Sequence, residues 1–162
     1  MKDFIELLFP LHSCTVKIII FLSSTIVSLL GYMGITYFVA ARKFQDIIRN
    51  ELQGLYPSPV SWPKDSFSID PILKEKYPRI ENAVSNFKGH LPTILIKGFN
   101  KAWIKYYSAN GNEGYQCYDH YMPFKGEAFS YGEKISEWDN TKTYKETFKK
   151  NVARLLKYAK QI

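Results

Sequence analysis

The reactive side-chain types of this chain meet at residues 117–121, where the sequence reads CYDHY. A thiol three residues before an imidazole could form a nucleophile and its base, and Cys117, Asp119 and His120 could supply part of a metal site. The alternative is a packed thiol and a surface His-Asp pair in an aromatic loop. Only two other histidines exist, one of them before the long apolar run, so a complete ligand set is hard to assemble. We therefore expect no metal or cofactor and keep an enzyme using Cys117 and His120 as the alternative function.

Other catalytic signatures are absent from the sequence. It has no HExxH, paired CxxC or GxSxG motif, and GNEG at 111–114 lacks the Lys-Ser/Thr of a phosphate-binding loop. A calcium loop starting at Asp139 is also excluded, because Tyr144 replaces its glycine and Lys150 its bidentate glutamate. The sequence thus favours a non-enzymatic protein.

The element on which the rest is organised is the apolar run from Ile18 to Ala41, in which 24 consecutive residues carry no charge. As a helix it would be about 36 Å long, enough to cross a hydrocarbon core of about 30 Å. Lys17 before it and Arg42 and Lys43 after it are charges of the kind that stay at lipid headgroups. A buried core helix seldom runs so far uncharged, and a cleaved signal peptide has a shorter apolar core. We predict a single-pass membrane protein.

The span divides the chain into five segments. We predict an N-terminal interfacial segment over 1–17, the transmembrane helix over 18–41, a juxtamembrane stalk helix over 42–55, a proline-rich linker over 56–69 and a basic α-helical domain over 70–162. For the first segment a partly ordered tail is the alternative. The fold class is therefore mainly α, with a transmembrane helix that continues into a stalk.

Within the C-terminal domain, apolar periodicity and turn residues predict about three helices. The first begins at Asp70, meets Pro78 and restarts; the second reads TILIKGFNKAWIKYYSA and is stopped by the turn residues of SANGNEG; the third closes the chain. From Tyr115 to Trp138 no period appears, and there is no convincing run of alternating strands. We expect an irregular aromatic segment there.

The last helix is the most strongly amphipathic, with Thr143 and Glu146 predicted to form a capping box. Its outer face holds seven basic residues against the single acid Glu146. The chain carries a formal charge of +7, all of it beyond the span, because the four charged residues before position 42 cancel. Such a face suits an acidic protein partner or anionic lipid headgroups, the alternative being a solvated lysine face. Nucleic acid is disfavoured, since only one arginine lies on this helix.

The aromatic residues offer a second contact surface, because Tyr and Trp combine a large contact area with a polar tip. The alternative is that they pack inside a small core. The residues that we expect to contact a partner or lipid are Lys145, Lys149, Lys150, Arg154, Lys157, Trp103, Tyr107, Tyr118 and Tyr121.

Two further expectations concern the membrane. Three basic residues soon after the span, against two before it, favour a cytoplasmic C-terminal domain by the positive-inside rule. The two cysteines, Cys14 and Cys117, would lie on opposite sides of the bilayer, so no disulfide framework exists, which also favours a reducing compartment.

The apolar helix also offers a surface for self-association. Ser24, Ser28 and Gly31 share one helix face, through which a homodimer could form.

The span, the motif AWIKYY at 102–107 and the closing motif VARLLKYAK at 152–160 resemble a loose group of short bacterial single-pass membrane proteins of unassigned function. The resemblance implies no site residues. The sequence as a whole predicts a membrane-anchored, non-enzymatic interaction or accessory protein that presents a small basic helical domain at the membrane surface.

Overall fold

A computed structural model of the chain describes residues 2–64, 69–109, 111, 116–130 and 133–160. Side chains are described from residue 15 onward, except those of 128–138. The tyrosine at 115 and the aromatic residues between 128 and 138, part of the predicted aromatic segment, therefore lie outside this description. Contacts within the chain define two compact units, Met1–Tyr37 and Phe38–Ile162.

The first unit is helical and exposes its apolar side chains. Helix α1 begins in it and extends over Lys2–Glu51, so the predicted interfacial segment belongs to the same helix. Its part Thr15–Glu51 is long and apolar enough to span a membrane, and residues 15–35 are all exposed. The hydroxyls of Ser24 and Ser28 donate to backbone carbonyls one turn earlier, each at 2.9 Å. Polar groups on this stretch thus find partners without water.

The described residues of the second unit form the end of α1, three more helices and one β-hairpin. They are α2 (Ile69–Lys88), α3 (Thr93–Tyr107), β1 (Lys125–Ser130), β2 (Glu133–Asp139) and α4 (Tyr144–Lys157), with a single 3₁₀ turn at Asp119–Tyr121 between α3 and β1. The chain is mainly α, and a small helical domain follows the apolar helix, as the sequence predicts.

The segment predicted to be a juxtamembrane stalk helix is a core helix of this unit. Phe44, Ile48 and Leu52 lie one turn apart on one face of α1 and are at most 2% exposed. The ring of Phe44 stacks on Phe87 with centroids 4.7 Å apart and meets Phe99 edge-on at 5.9 Å. The periodicity that indicated a stalk helix is therefore the apolar face of a packed helix.

The predicted linker also packs against the unit. Trp62, within the proline-rich stretch, is only 8% exposed. Its ring meets those of Tyr144 and Phe148 at the start of α4, at 5.7 and 5.4 Å. A bulky aromatic side chain thus holds this segment on the helical core rather than leaving it as a spacer.

Helix α2 runs through Pro78 without the predicted break. Leu73, Tyr77, Ile80 and Val84 lie at intervals of three and four residues and are buried on both sides of the proline. Proline costs a helix one hydrogen bond, but packing this continuous apolar stripe compensates for the loss. Tertiary burial therefore overrides the local signal.

Strands β1 and β2 form an antiparallel hairpin where the sequence predicted no strands. The pairing runs from Lys125 opposite Asp139 to Ser130 opposite Glu133, with an irregularity between Ala128 and Phe129. Among the described residues each strand pairs only with the other, and the irregularity interrupts the two-residue alternation by which a strand is recognised. The prediction of a wholly irregular segment was wrong for this reason.

We expect Ile48→Ala to lower the free energy of unfolding of the C-terminal unit by about 2–5 kcal/mol, because it removes buried methyl and methylene groups and leaves a cavity. The measurement is thermal or denaturant unfolding of the full chain in detergent micelles. The matched control is Arg49→Ala, on the exposed face of the same turn, which should change stability by less than about 0.5 kcal/mol. Equal effects of the two substitutions would contradict the packing of Ile48 in the core and favour a stalk helix outside it.

Candidate functional site

The backbone that follows α3 places Cys117 against the end of that helix. The Cys117 amide donates to the carbonyl of Tyr107 at 2.8 Å, and the amide of Ala109 donates to the Cys117 carbonyl at 2.9 Å. A short parallel bridge between Ser108 and Cys117 results. The 3₁₀ turn then follows at once, so the candidate group at 117–121 is fixed next to the last turn of α3.

The Cys117 thiol forms a hydrogen bond to the Asp119 carboxylate and not to the His120 imidazole. Its Sγ lies 3.1 Å from Oδ2 of Asp119, and the residue is only 8% exposed. Burial raises the pKa of the Cys117 thiol; the hydrogen bond to the Asp119 carboxylate and its charge act in the same direction, while backbone amides of Asp119 and Ala109 oppose them. A reactive cysteine needs a lowered pKa. The thiol of Cys117 is therefore in the protonated, weakly nucleophilic form at neutral pH.

The His120 imidazole points to a different partner. Its Nε2 lies 3.2 Å from the carbonyl oxygen of Lys105, and since a carbonyl only accepts, Nε2 carries the hydrogen. Burial lowers the pKa of His120; the Lys105 carbonyl, the Asp119 charge and the Cys117 backbone partly counter this. The ring is therefore neutral and serves as a donor to the backbone. The predicted thiol–imidazole pair is not formed by the hydrogen bonds of these two residues.

The neighbouring polar side chains also donate hydrogen bonds to carbonyls at the end of α3. The Tyr121 hydroxyl donates to the carbonyl of Tyr106 at 2.9 Å. Asn151, on α4, donates through Nδ2 to the carbonyl of Lys105 at 3.0 Å and to the Tyr121 hydroxyl at 3.1 Å. The last carbonyls of a helix lack partners within it. His120, Tyr121 and Asn151 supply donors to the end of α3, and we name these three residues the α3 cap.

The sequence analysis missed Asn151, although a signal for it exists. Asn151 is 7% exposed and lies on the buried face of α4 between Phe148 and Leu155. A polar residue on an apolar helix face must find a buried partner, because an unpaired amide there costs free energy. The sequence gives the position of that amide on the helix but not which carbonyl it meets.

Three of the four aromatic residues predicted to contact a partner are core residues. Tyr107 is 4% exposed, and Tyr118 and Tyr121 are 0% exposed. Burial raises the pKa of Tyr118 and Tyr121 far above the usual tyrosine range, so both hydroxyls stay neutral. The prediction of a contact surface is wrong for these three, because a small unit fills its interior with its largest side chains. Trp103 is half-buried and stacks on the ring of Tyr77 at 5.4 Å.

The structure gives no support to the possibility, raised by the residue types at 117–120, of a partial metal site. Within the part of the chain that is described, no three side chains of His, Cys, Asp or Glu come close enough together to hold an ion. Cys117, Asp119 and His120 lie within four residues of each other but direct their polar atoms to each other and to the end of α3. Their arrangement is that of a structural connection between α3 and α4.

The basic residues of α4 lie on its outer face, as predicted. Lys149, Lys150, Arg154 and Lys157 are exposed, and none forms an ion pair with an acid whose side chain the structure describes. Lys145 is engaged in contacts within the unit: its Nζ lies over the rings of Trp62 and Tyr144, 5.8 and 5.7 Å from the centroids. We name the four exposed residues Lys149, Lys150, Arg154 and Lys157 the α4 basic face.

The predicted capping box at the start of α4 does not form. Thr143 makes no side-chain bond to the helix amides; its Oγ1 lies 3.4 Å from the carbonyl of Asn140 instead. The amides of Thr143 and Tyr144 both donate to that same carbonyl, at 2.8 and 3.0 Å. The preceding turn, rather than a side chain, therefore satisfies the donors that begin this helix.

No protein family, curated protein sequence or solved structure matches this chain. Its functional interpretation depends on the geometry described above.

We expect Asn151→Ala to lower the free energy of unfolding by about 2–3 kcal/mol, because it removes two hydrogen bonds and leaves a buried carbonyl with fewer donors. The measurement is unfolding of the full chain in micelles by urea. Asn86→Ala is the control, since the Asn86 amide contacts only Asn82 at an exposed position. A loss at Asn151 no larger than that at Asn86 would contradict the role of Asn151 in the α3 cap.

We expect Cys117 in the folded chain to react with iodoacetamide more slowly than the same thiol in the unfolded chain, because it is buried and its pKa is raised. His120→Ala should not slow the reaction further. The measurement is the alkylation rate at neutral pH in a Cys14→Ser background, by mass spectrometry. A folded thiol that reacts faster than the unfolded one, and loses that advantage in His120→Ala, would establish the alternative enzyme function.

Proposed function

We propose that this chain is a single-pass membrane protein whose C-terminal unit is a non-enzymatic interaction module for an acidic protein partner. The observation that carries the proposal is the α4 basic face, four exposed cations without ion-pair partners among the described side chains. The membrane is the second partner, through α1.

The exposure of α1 supports its role as a membrane anchor. In the apolar part of α1, residues 15–35 are all exposed, whereas a soluble core helix would be covered by the protein. Large apolar side chains such as Phe21, Val27 and Leu30 are 62–69% exposed. Such a surface is stable in lipid and costly in water. A signal sequence is also an apolar helix near the N-terminus, but the helix here continues without interruption into a packed unit.

The structure of α4 supports its role as a binding element. Its inner face, with Phe148, Val152, Leu155 and Leu156 at 0–1% exposure, is fixed in the core, so the backbone beneath the basic face is rigid. The depression on its outer face is lined by Glu146, Lys149, Lys150 and Ala153 together with two threonines. A rigid cationic helix face with one acid suits a partner segment rich in Asp and Glu.

Two proposals about the setting follow from the sequence. The positive-inside rule favours placing the C-terminal unit in the cytoplasm, where free Cys117 would remain reduced. A homodimer through the face of Ser24, Ser28 and Gly31 stays a prediction; no other heavy atom would lie within 4 Å of a side chain added at Gly31, so that face is open.

We expect a photoreactive benzoylphenylalanine at Ala153, the exposed centre of the basic face, to form an adduct of one defined mass in intact cells. The double variant Lys149→Glu/Lys150→Glu should reduce the adduct yield about tenfold, since exposed lysines contribute up to about 1 kcal/mol each. Immunoblotting and mass spectrometry of the cross-linked species provide the measurement.

Two controls make the result specific. The same probe at Ser85, exposed on α2, reports non-specific neighbours, and Lys64→Glu/Lys125→Glu alters two exposed lysines elsewhere by the same charge. If the adducts at Ala153 and Ser85 are identical, or if both double variants have the same effect, the basic face is a solvated surface and the proposal fails.

A further inference from the structure

Helix α2 runs back along the part of α1 that belongs to the second unit, toward residues 38–41. Nη1 of Arg79 lies 3.3 Å from Oε1 of Glu51, and the ring of Phe87 stacks on that of Phe44 at 4.7 Å. Nine residues of α2, 79–87, thus pass eight residues of α1, 51–44. The two helices are antiparallel, and the end of α2 lies closest to the uncharged residues of α1.

Helix α3 begins at the same level and runs away from it. Its Tyr107 meets Tyr77 of α2 at 5.7 Å, and its Phe99 meets Phe87 at 5.5 Å, so α3 is antiparallel to α2. The turn that joins them, with His90 bonded to the carbonyl of Phe87 at 3.0 Å, is short. It therefore lies at the end of the second unit where residues 38–41 of α1 also lie.

The exposed large apolar side chain at this turn is Ile94, which is 88% exposed. It precedes Phe99 by five residues, about 7.5 Å of helix. Phe99 lies level with Phe44, their rings 5.9 Å apart, and five residues back from Phe44 along α1 is Val39, inside the uncharged run. Ala41 is only 4% exposed, so the unit covers α1 up to the end of that run.

The charge around the turn is basic. From residue 82 to 112 the chain has no Asp or Glu and four lysines. The end of α4 joins this region, since Nε2 of Gln45 donates to the carbonyl of Ala159 at 3.0 Å. Asp46 of α1 is the acid at this level. The basic residues at this end of the unit are Arg42, Lys43, Lys88, Lys97, Lys157 and Lys160.

We infer that the α2–α3 turn is a second membrane contact, in which Ile94 enters the boundary between headgroups and acyl chains while Lys88 and Lys97 meet anionic headgroups. An exposed apolar residue flanked by lysines is the pattern of interfacial contacts. The inference rests on the proposed function, because it takes α1 as the anchor. It makes the bilayer, rather than a protein, the partner of this end of the unit.

The test uses the full chain reconstituted into vesicles of phosphatidylcholine and phosphatidylglycerol. An environment-sensitive fluorophore is attached to Ile94→Cys in a Cys14→Ser/Cys117→Ser background. The matched control is Val60→Cys, because Val60 is 83% exposed but follows the C-terminal end of α1. We expect blue-shifted emission at position 94, with loss of intensity when lipids carry brominated acyl chains, and neither effect at position 60.

A second variant tests the charge contribution. Lys88→Glu/Lys97→Glu should reduce the quenching of the label at position 94 by brominated lipid; unchanged quenching would overturn the role of the lysines. Equal water exposure at positions 94 and 60 would overturn the inference. The anchor itself is checked by flotation of the vesicles after an alkaline wash. A chain that fails to float overturns the anchor, whereas a chain that floats with a water-exposed label at 94 overturns only the second contact.

Discussion

The packing of Phe44 against Phe87 and Phe99 is the interaction on which the rest of the second unit depends. Through these three rings the end of an apolar helix becomes the centre of a helical core. Each fully buried large apolar side chain contributes about 1.5–3 kcal/mol, so α2 and α3 would lose much of their stabilisation without α1. The end of α1 is therefore an integral part of this unit.

Burial also determines the chemical state of the two potentially reactive side chains, Cys117 and His120. The carbonyls at the end of α3 require donors once the helix is buried, and His120, Tyr121 and Asn151 supply them. Burial then keeps the imidazole neutral and the thiol of Cys117 protonated. The same low-polarity surroundings that make these hydrogen bonds stabilising remove the charges that catalysis would use.

Two separate surface regions are proposed to make different contacts. The α4 basic face presents cations on a rigid helix for the proposed acidic partner, and the α2–α3 turn presents Ile94 with lysines for the proposed lipid contact. Gln45 and Ala159 connect the end of α4 with α1, so both regions are built around the same helix.

The sequence by itself determined the apolar helix, the mainly α class, the extent of α3 and the basic outer face of α4, because each is a local pattern of composition or helical period. Tertiary structure decided what those patterns serve. The stripe of Phe44, Ile48 and Leu52 reads equally as a stalk and as a core face, and only the rings of α2 and α3 distinguish the two. Likewise Cys117 and His120 are neighbours in the chain, but their hydrogen-bond partners depend on where α3 ends. Burial and long-range contacts are properties of the packed chain, and no local spacing encodes them.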